Sequence, residues 1–291
     1  MVRQKKYITG DYLEIEIFNL PAEKKPFKRQ RRIKESSPTQ KNLNNKKAQR
    51  YFVRLVHNNF NQNDLYVDLT YNQENLPDNK EEILRDIRNY IARLKRYRKK
   101  EGLPELKYIY VISNHDQIGN KVRYHVHMII NSMDRDVAEK KWKKGFCNTD
   151  RLQFNETGVT GKSIYMTRQA KGERSWSSSI NLKKPVAIVS DYKVKRRQLE
   201  HMANNPDDRL FIEKLINGKK QEWIFTDCIV ERDGRQTALS GIVSEGFGQV
   251  VSVMIRARRS EFAKANKKRT KSSLLSQKRN SKPRRNNKRN C

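Results

Sequence analysis

Two short runs decide the fold: Lys107-Tyr108-Ile109-Tyr110-Val111-Ile112-Ser113 and Tyr124-His125-Val126-His127-Met128-Ile129-Ile130. Both are rich in β-branched and aromatic residues, which suit a pleated surface. The polar stretch 114–123 between them has Gly119-Asn120 at its tip and reads as a hairpin connection. The two strands therefore pair as antiparallel neighbours. Side chains at i and i+2 share one face of a strand. His125 and His127 thus project together, with Val126 facing the other way. Two imidazoles on one rigid face can hold a divalent cation. A pair of buried, hydrogen-bonded core histidines is the alternative, because a His-Val-His run alone is short and unspecific.

Working outward, Leu65-Tyr66-Val67-Asp68-Leu69-Thr70-Tyr71 is another strand, and 51–57 reads as a further one. Residues 72–79 form a loop with a Pro77-Asp78 turn, and Asp78 or Asn79 is placed to cap the helix that follows. That helix spans 81–100. Ile83, Leu84, Ile87, Ile91, Leu94 and Tyr97 recur at three- and four-residue spacing. Early Glu81 and Glu82 and a basic end suit the helix dipole, and Gly102 and Pro104 terminate it. Downstream come a short charged helix over 134–144, a strand over 146–152 and a helix over 162–170 carrying Tyr165. Strand, helix, strand, strand, helix, strand, helix is an α+β order. It predicts a central antiparallel sheet with flanking helices laid on one side, ferredoxin-like in plan.

The composition sets the partner class. The 291 residues carry 64 Lys+Arg against 32 Asp+Glu, a formal charge of +32. Such an excess calls for a polyanion, nucleic acid first and an anionic membrane surface second. Hydrophobic residues make up 35%, low enough to expect solvated segments beside a core. No apolar run is long enough to span a bilayer, and the basic N-terminus does not read as a signal peptide. Cys147, Cys228 and Cys291 form neither a zinc pattern nor a disulfide framework, so a reducing, cytoplasmic setting is expected.

Four regions follow. Residues 1–50 read as a basic arm with a short strand over 12–18, since Lys24 to Lys47 includes Lys28-Arg29-Gln30-Arg31-Arg32. Residues 51–190 hold the motifs. Residues 191–262 read as an α/β extension with a helix over 207–217 and strands over 221–230, 237–243 and 249–255. They either extend the first sheet or form a second unit. Residues 263–291 are a basic, disordered tail.

A phosphodiester resists nucleophiles because of its charge. A metal ion can neutralise a phosphate oxygen, and a tyrosine oxygen can then attack. The chain offers His125 and His127, Tyr165 on a later helix, Arg168 at i+3 on the same face, and Lys171 beyond. Leu65 to Pro77, with its Thr-Tyr and Leu-Pro, the histidine strand, Tyr165-Met166-Thr167-Arg168, and the Ser-x-Asn-Leu-x-x-Pro segment within 176–185 stand in a fixed order. Together they resemble the HUH endonucleases, the rolling-circle replication initiators of phages and plasmids, over about residues 50–190.

The resemblance implies a metal-dependent, site-specific nicking of single-stranded or supercoiled origin DNA in a bacterial host. Tyr165 would form a 5′-phosphotyrosine and leave a 3′ hydroxyl as primer, with host helicase and polymerase as partners. It implies Mg²⁺ or Mn²⁺ held by His125 and His127. The family often places a Glu on the preceding strand as third ligand. Here Ile112-Ser113-Asn114-His115-Asp116 has none, so His115 takes that place with Asp116 as runner-up. Arg168 stands where lysine is usual, and Lys171 is the substitute proton donor. Thr70, Trp176, Lys183 and Lys184 are the candidate DNA contacts; Asp68 sits near the same site, and His57 and His201 are assigned to structure. A conjugative relaxase and a non-catalytic basic DNA- or RNA-binding protein are the competing readings. Relaxases usually place their tyrosine before the histidines, whereas Tyr165 follows them. No Walker-type loop is present, so no fused helicase is expected.

Overall fold

The computed structural model describes residues 1–20, 38–115, 120–169, 176–218, 220–232, 235–237, 250–261 and 263–264. In chain order the elements are β1 (Val2–Thr9), β2 (Tyr12–Asn19), α1 (Pro38–Asn59), β3 (Leu65–Thr70), α2 (Lys80–Lys100), β4 (Tyr108–His115) and β5 (Lys121–Ile130). They continue with α3 (Arg135–Lys140), β6 (Cys147–Arg151), α4 (Thr160–Gln169), β7 (Ser177–Ser178), β8 (Ala187–Ser190), α5 (Arg196–Asn204) and α6 (Arg209–Asn217). Strands β9 (Trp223–Arg232), β10 (Arg235–Thr237) and β11 (Val250–Arg259) follow. The chain is α+β, and every strand pair is antiparallel.

The histidine strand β5 is the centre of a five-stranded sheet ordered β6-β3-β5-β4-β7. Its pairing with β4 is the expected hairpin, Val111 opposite His127 and Ser113 opposite His125. One face of this sheet carries Leu65, Val67, Leu69, Val126, Met128 and Ile130. They pack on Ile83, Ile87, Tyr90, Ile91 and Leu94 of α2. Asn79 caps α2 by accepting from the Glu82 N–H at 3.0 Å. The other face carries Tyr66, Ile109, Val111 and Ile129, covered by Phe52, Leu55 and Val56 of α1 and Met166 of α4. Helices thus lie on both faces, not on one. The strands' near-continuous apolar runs were the sign of it, since a strand covered on both sides has no polar face to alternate with.

Residues 51–57 are helical rather than extended, as the last turns of α1. Phe52, Leu55 and Val56 follow a three- and four-residue period, and that spacing outweighs the β-branched content of a seven-residue window. The polar 38–47 stretch, expected to be a flexible arm, forms the first turns of the same helix. The Arg-rich run 28–32 lies outside the described residues.

The N-terminal hairpin and the C-terminal strands build a second sheet, ordered β10-β9-β11-β2-β1-β8. Ile15 is the register partner of Ile255. Leu13, Ile15, Ile17, Cys228, Val230, Val253 and Ile255 face α5 and α6. The opposite face is charged and meets α1. Arg54 donates to Glu14 at 2.8 Å and also pairs with Glu16; Arg50 reaches Glu231 at 3.0 Å; Arg256 reaches Asp227 at 3.1 Å. Helix α1 is therefore apolar toward one sheet and basic toward the other. The result is five layers: α5 with α6, the six-stranded sheet, α1, the five-stranded sheet, α2. Residues 265–291, most of the expected tail, lie outside the described residues. Among the described residues, no helix is long and apolar enough to cross a membrane.

Candidate active site

Strand register brings the chemistry together. On the α1 side of the five-stranded sheet, β3 places Tyr66, Asp68 and Thr70, and β5 places His125 and His127. Asp68 stands opposite His127, and Thr70 opposite His125. The two imidazole centroids are 4.8 Å apart with planes at 79°. His127 is buried, and His125 is half-buried.

Both rings are held through Nδ1. That of His125 lies 3.1 Å from the Arg123 carbonyl, an acceptor, so Nδ1 carries the proton. That of His127 donates to the Asp68 carboxylate. The Tyr66 hydroxyl sits 2.7 Å from the same nitrogen and also bonds the carboxylate. Burial works against ionisation of Asp68. The hydrogen bond and charge of His127, the Tyr66 bond and the Lys162 charge outweigh it and hold the carboxyl below the usual range. An acceptor on each Nδ1 sets the tautomer in which Nε2 bears the lone pair, the form a metal ligand needs. The donor chemistry of this pair fits a divalent cation.

The third donor is not assembled. Among the described residues no three His, Cys, Asp or Glu side chains are gathered to hold a metal ion. His115 lies where the β4–β5 pairing is irregular, with Lys121 as its partner. Its Nδ1 is buried without a hydrogen-bond partner among the described residues. Asp116, the runner-up, lies outside the described residues.

Helix α4 sets Tyr165 over the histidine strand, with its ring 5.4 Å from that of His127 at 61°. The helix is fixed from below. Met166 enters the core, and Gln49 of α1 donates to Thr167 Oγ1 at 2.9 Å. The Val159 N–H just before it donates to Nε2 of His57 at 3.2 Å. His57 is buried and stacked on Tyr12 at 4.4 Å, and burial, helped by the Arg256 charge, lowers its pKa to about 3. Neutral imidazole is thus what receives that N–H. His57 and His201 both have structural partners, the latter bonding Asp208 at 2.9 Å.

Two tyrosines adjoin His127, and their settings differ. Tyr66 is buried, its hydroxyl is committed, and burial together with Asp68 raises its pKa. Tyr165 is half-buried. Only the second is placed to meet a substrate.

The cation beside this tyrosine is one the sequence reading passed over. Lys162, one turn before Tyr165, has its Nζ 4.1 Å from the Tyr66 ring centroid and 5.7 Å from that of Tyr165. The i,i+3 rule that selected Arg168 applies equally backwards to Lys162. Arg168 is exposed in the last turn of α4, and Lys171 lies outside the described residues. Thr70 is exposed, with Oγ1 donating to the Phe146 carbonyl at 3.1 Å.

The 176–185 segment straps β4 to α1. Trp176 stacks on Tyr51 at 6.0 Å, and the Ser179 hydroxyl accepts the Tyr108 N–H at 3.1 Å. The Lys183 carbonyl accepts from Asn58 and Asn59 at 2.9 Å each, while the Lys183 and Lys184 side chains are exposed.

Residues 64–170 match the family of the replication-associated protein ORF2 and gene 2 protein. The matched stretch contains both histidines, Asp68, Lys162 and Tyr165. No curated protein and no solved structure matches the chain.

Proposed function

We propose that this replication-associated chain is a rolling-circle initiator of the HUH endonuclease type, which nicks one strand of origin DNA through Tyr165. The observation that carries the reading is the Tyr165 ring 5.4 Å from His127, on a helix laid over the two-histidine strand. In the nick, Tyr165 Oη attacks phosphorus and the bond to the 3′ oxygen breaks. The phenol gives up its proton, and the 3′ oxygen takes one and leaves as the primer hydroxyl. His125 and His127 would hold Mg²⁺ or Mn²⁺ through Nε2, and the cation would neutralise a phosphate oxygen. Lys162 adds fixed positive charge where the attacked phosphate gains negative charge. Asp68 keeps His127 in its ligand form. Thr70, Lys183, Lys184 and Arg168 are exposed and available to the DNA backbone.

The test is incubation with single-stranded origin DNA and Mn²⁺, read on a denaturing gel. A covalent adduct is expected, lost in chelator and in Tyr165→Phe, with the DNA mapped to the peptide bearing Tyr165. Nicking without an adduct would indicate a water nucleophile. An adduct on another tyrosine would displace Tyr165. Binding without nicking under any metal would leave a non-catalytic DNA-binding protein. Extracts supplying a host helicase and polymerase should then extend the 3′ end around a supercoiled origin circle.

A further inference from the structure

A second site lies on the opposite face of the same sheet. Strand β7 pairs with β4 only at Ile109 and Tyr110. Where that pairing stops, a cavity of about 530 Å³ opens, lined by Lys80, Glu81, Leu84, Tyr110, Ile112, Trp176 and Ser177. Its volume falls within the range of small-ligand sites. Two of its walls are aromatic. Trp176 is held rigidly from behind, stacked on Tyr51 at 6.0 Å and edge-on to Phe52 at 5.7 Å. Tyr110 is fixed in the core beside Tyr108 at 6.3 Å.

The cavity is close to the histidines. Tyr110 and Ile112 flank Val111, and Val111 is the register partner of His127. A DNA strand lying at the histidines therefore passes within one strand's width of the cavity mouth. Lys80 offers a cation for a phosphate, and aromatic walls with a cation are the usual means of holding an unstacked base. Glu81 is acceptor-only and Ser177 can donate or accept, so a base edge bearing N–H donors suits them.

We propose that this cavity receives one unstacked nucleobase of the single strand, gripped by Trp176 and Tyr110, and so fixes the register of the DNA at the candidate active site. The proposal rests on the nicking reading for its strand but has its own readout. The intrinsic fluorescence of the full chain is titrated with a twelve-nucleotide oligodeoxycytidine and with an abasic strand of the same length. Trp142 and Trp223 are buried, so quenching by an entering base falls on Trp176. The base-bearing strand should quench and should bind about tenfold tighter than the abasic one. Trp176→Ala also unpacks α1. The decisive variant is therefore Leu84→Phe with Ser177→Phe, which fills the cavity from its rim. This variant should lose both the quench and the tenfold preference while keeping its affinity for the abasic strand. Equal affinities for the two strands, or a filled variant that behaves like the parent, would overturn the proposal. A preserved quench with no adduct on Tyr165 keeps the base site and removes the nicking reading. An adduct with an unaltered filled variant does the reverse.

Discussion

Asp68 accepts the Nδ1–H of His127 from the directly opposite position on the neighbouring strand. A carboxylate behind a histidine fixes the ring's tautomer and raises its basicity as a ligand. Replacing it by an amide keeps the shape and removes the charge. Asp68→Asn should lower Mn²⁺ affinity about 10- to 100-fold by titration calorimetry. Nicking should fall in parallel and recover in part at high Mn²⁺. Unchanged metal affinity would mean that the carboxylate serves only to hold the strand pair.

Lys162 and Arg168 compete for the role of the cation at Tyr165. Lys162 Nζ is 5.7 Å from the Tyr165 ring, while Arg168 is exposed at the end of the helix. Lys162→Gln should slow adduct formation about tenfold or more at saturating DNA, and Arg168→Gln should mainly weaken DNA binding. The reverse ranking in single-turnover assays would restore Arg168.

His57 makes stability depend on acid. Its folded pKa, about 3, lies below the ordinary histidine value because the ring is buried. Between those two values the unfolded chain binds the extra proton, so stability is full above about pH 6.5 and falls as pH drops toward 3. The slope from this residue is roughly 1.4 kcal/mol per pH unit. Denaturant midpoints for His57→Gln should show a flatter acid limb than the parent. Identical limbs would refute the assignment.

Gly158 sits at φ +69°, and a Cβ there would lie 2.6 Å from His57 Nε2 and 2.7 Å from Tyr12 Cζ. Gly158→Ala meets both a left-handed backbone and two rigid rings. A loss of roughly 2 kcal/mol is expected in chemical unfolding, with weaker seating of α4 and slower nicking. A neutral effect would show that the α4 entry can move without consequence.

Much of this was legible in the residues. The apolar period of α2, the hairpin of β4 and β5 and the shared face of His125 and His127 all followed from spacing. Helix α1 did not, because its apolar stripe serves one sheet while Arg50 and Arg54 serve another, and a mixed helix blurs its own period. The role of Asp68 needed the β3–β5 register, which no local pattern contains. Lys162 was hidden differently: its helix was recognised, but the search for a cation ran only toward the C-terminus. Pairing of the two chain ends is the least local feature of all, and periodicity cannot report it.

That last pairing governs the order of assembly. Ile15 leaves the ribosome early and waits for Ile255. Until β11, α5 and α6 arrive, the apolar side of the N-terminal hairpin has nothing to lie against. The five-stranded sheet with α1, α2 and α4 depends on neither. Ribosome-held chains that stop short of residue 250 should therefore show protease protection over 65–169 and cleavage over 12–19; protection of both would contradict this sequence of events. Pairings of such long range are slow to form and leave apolar strands open to aggregation meanwhile. The chain would thus complete its candidate chemistry first and close itself last.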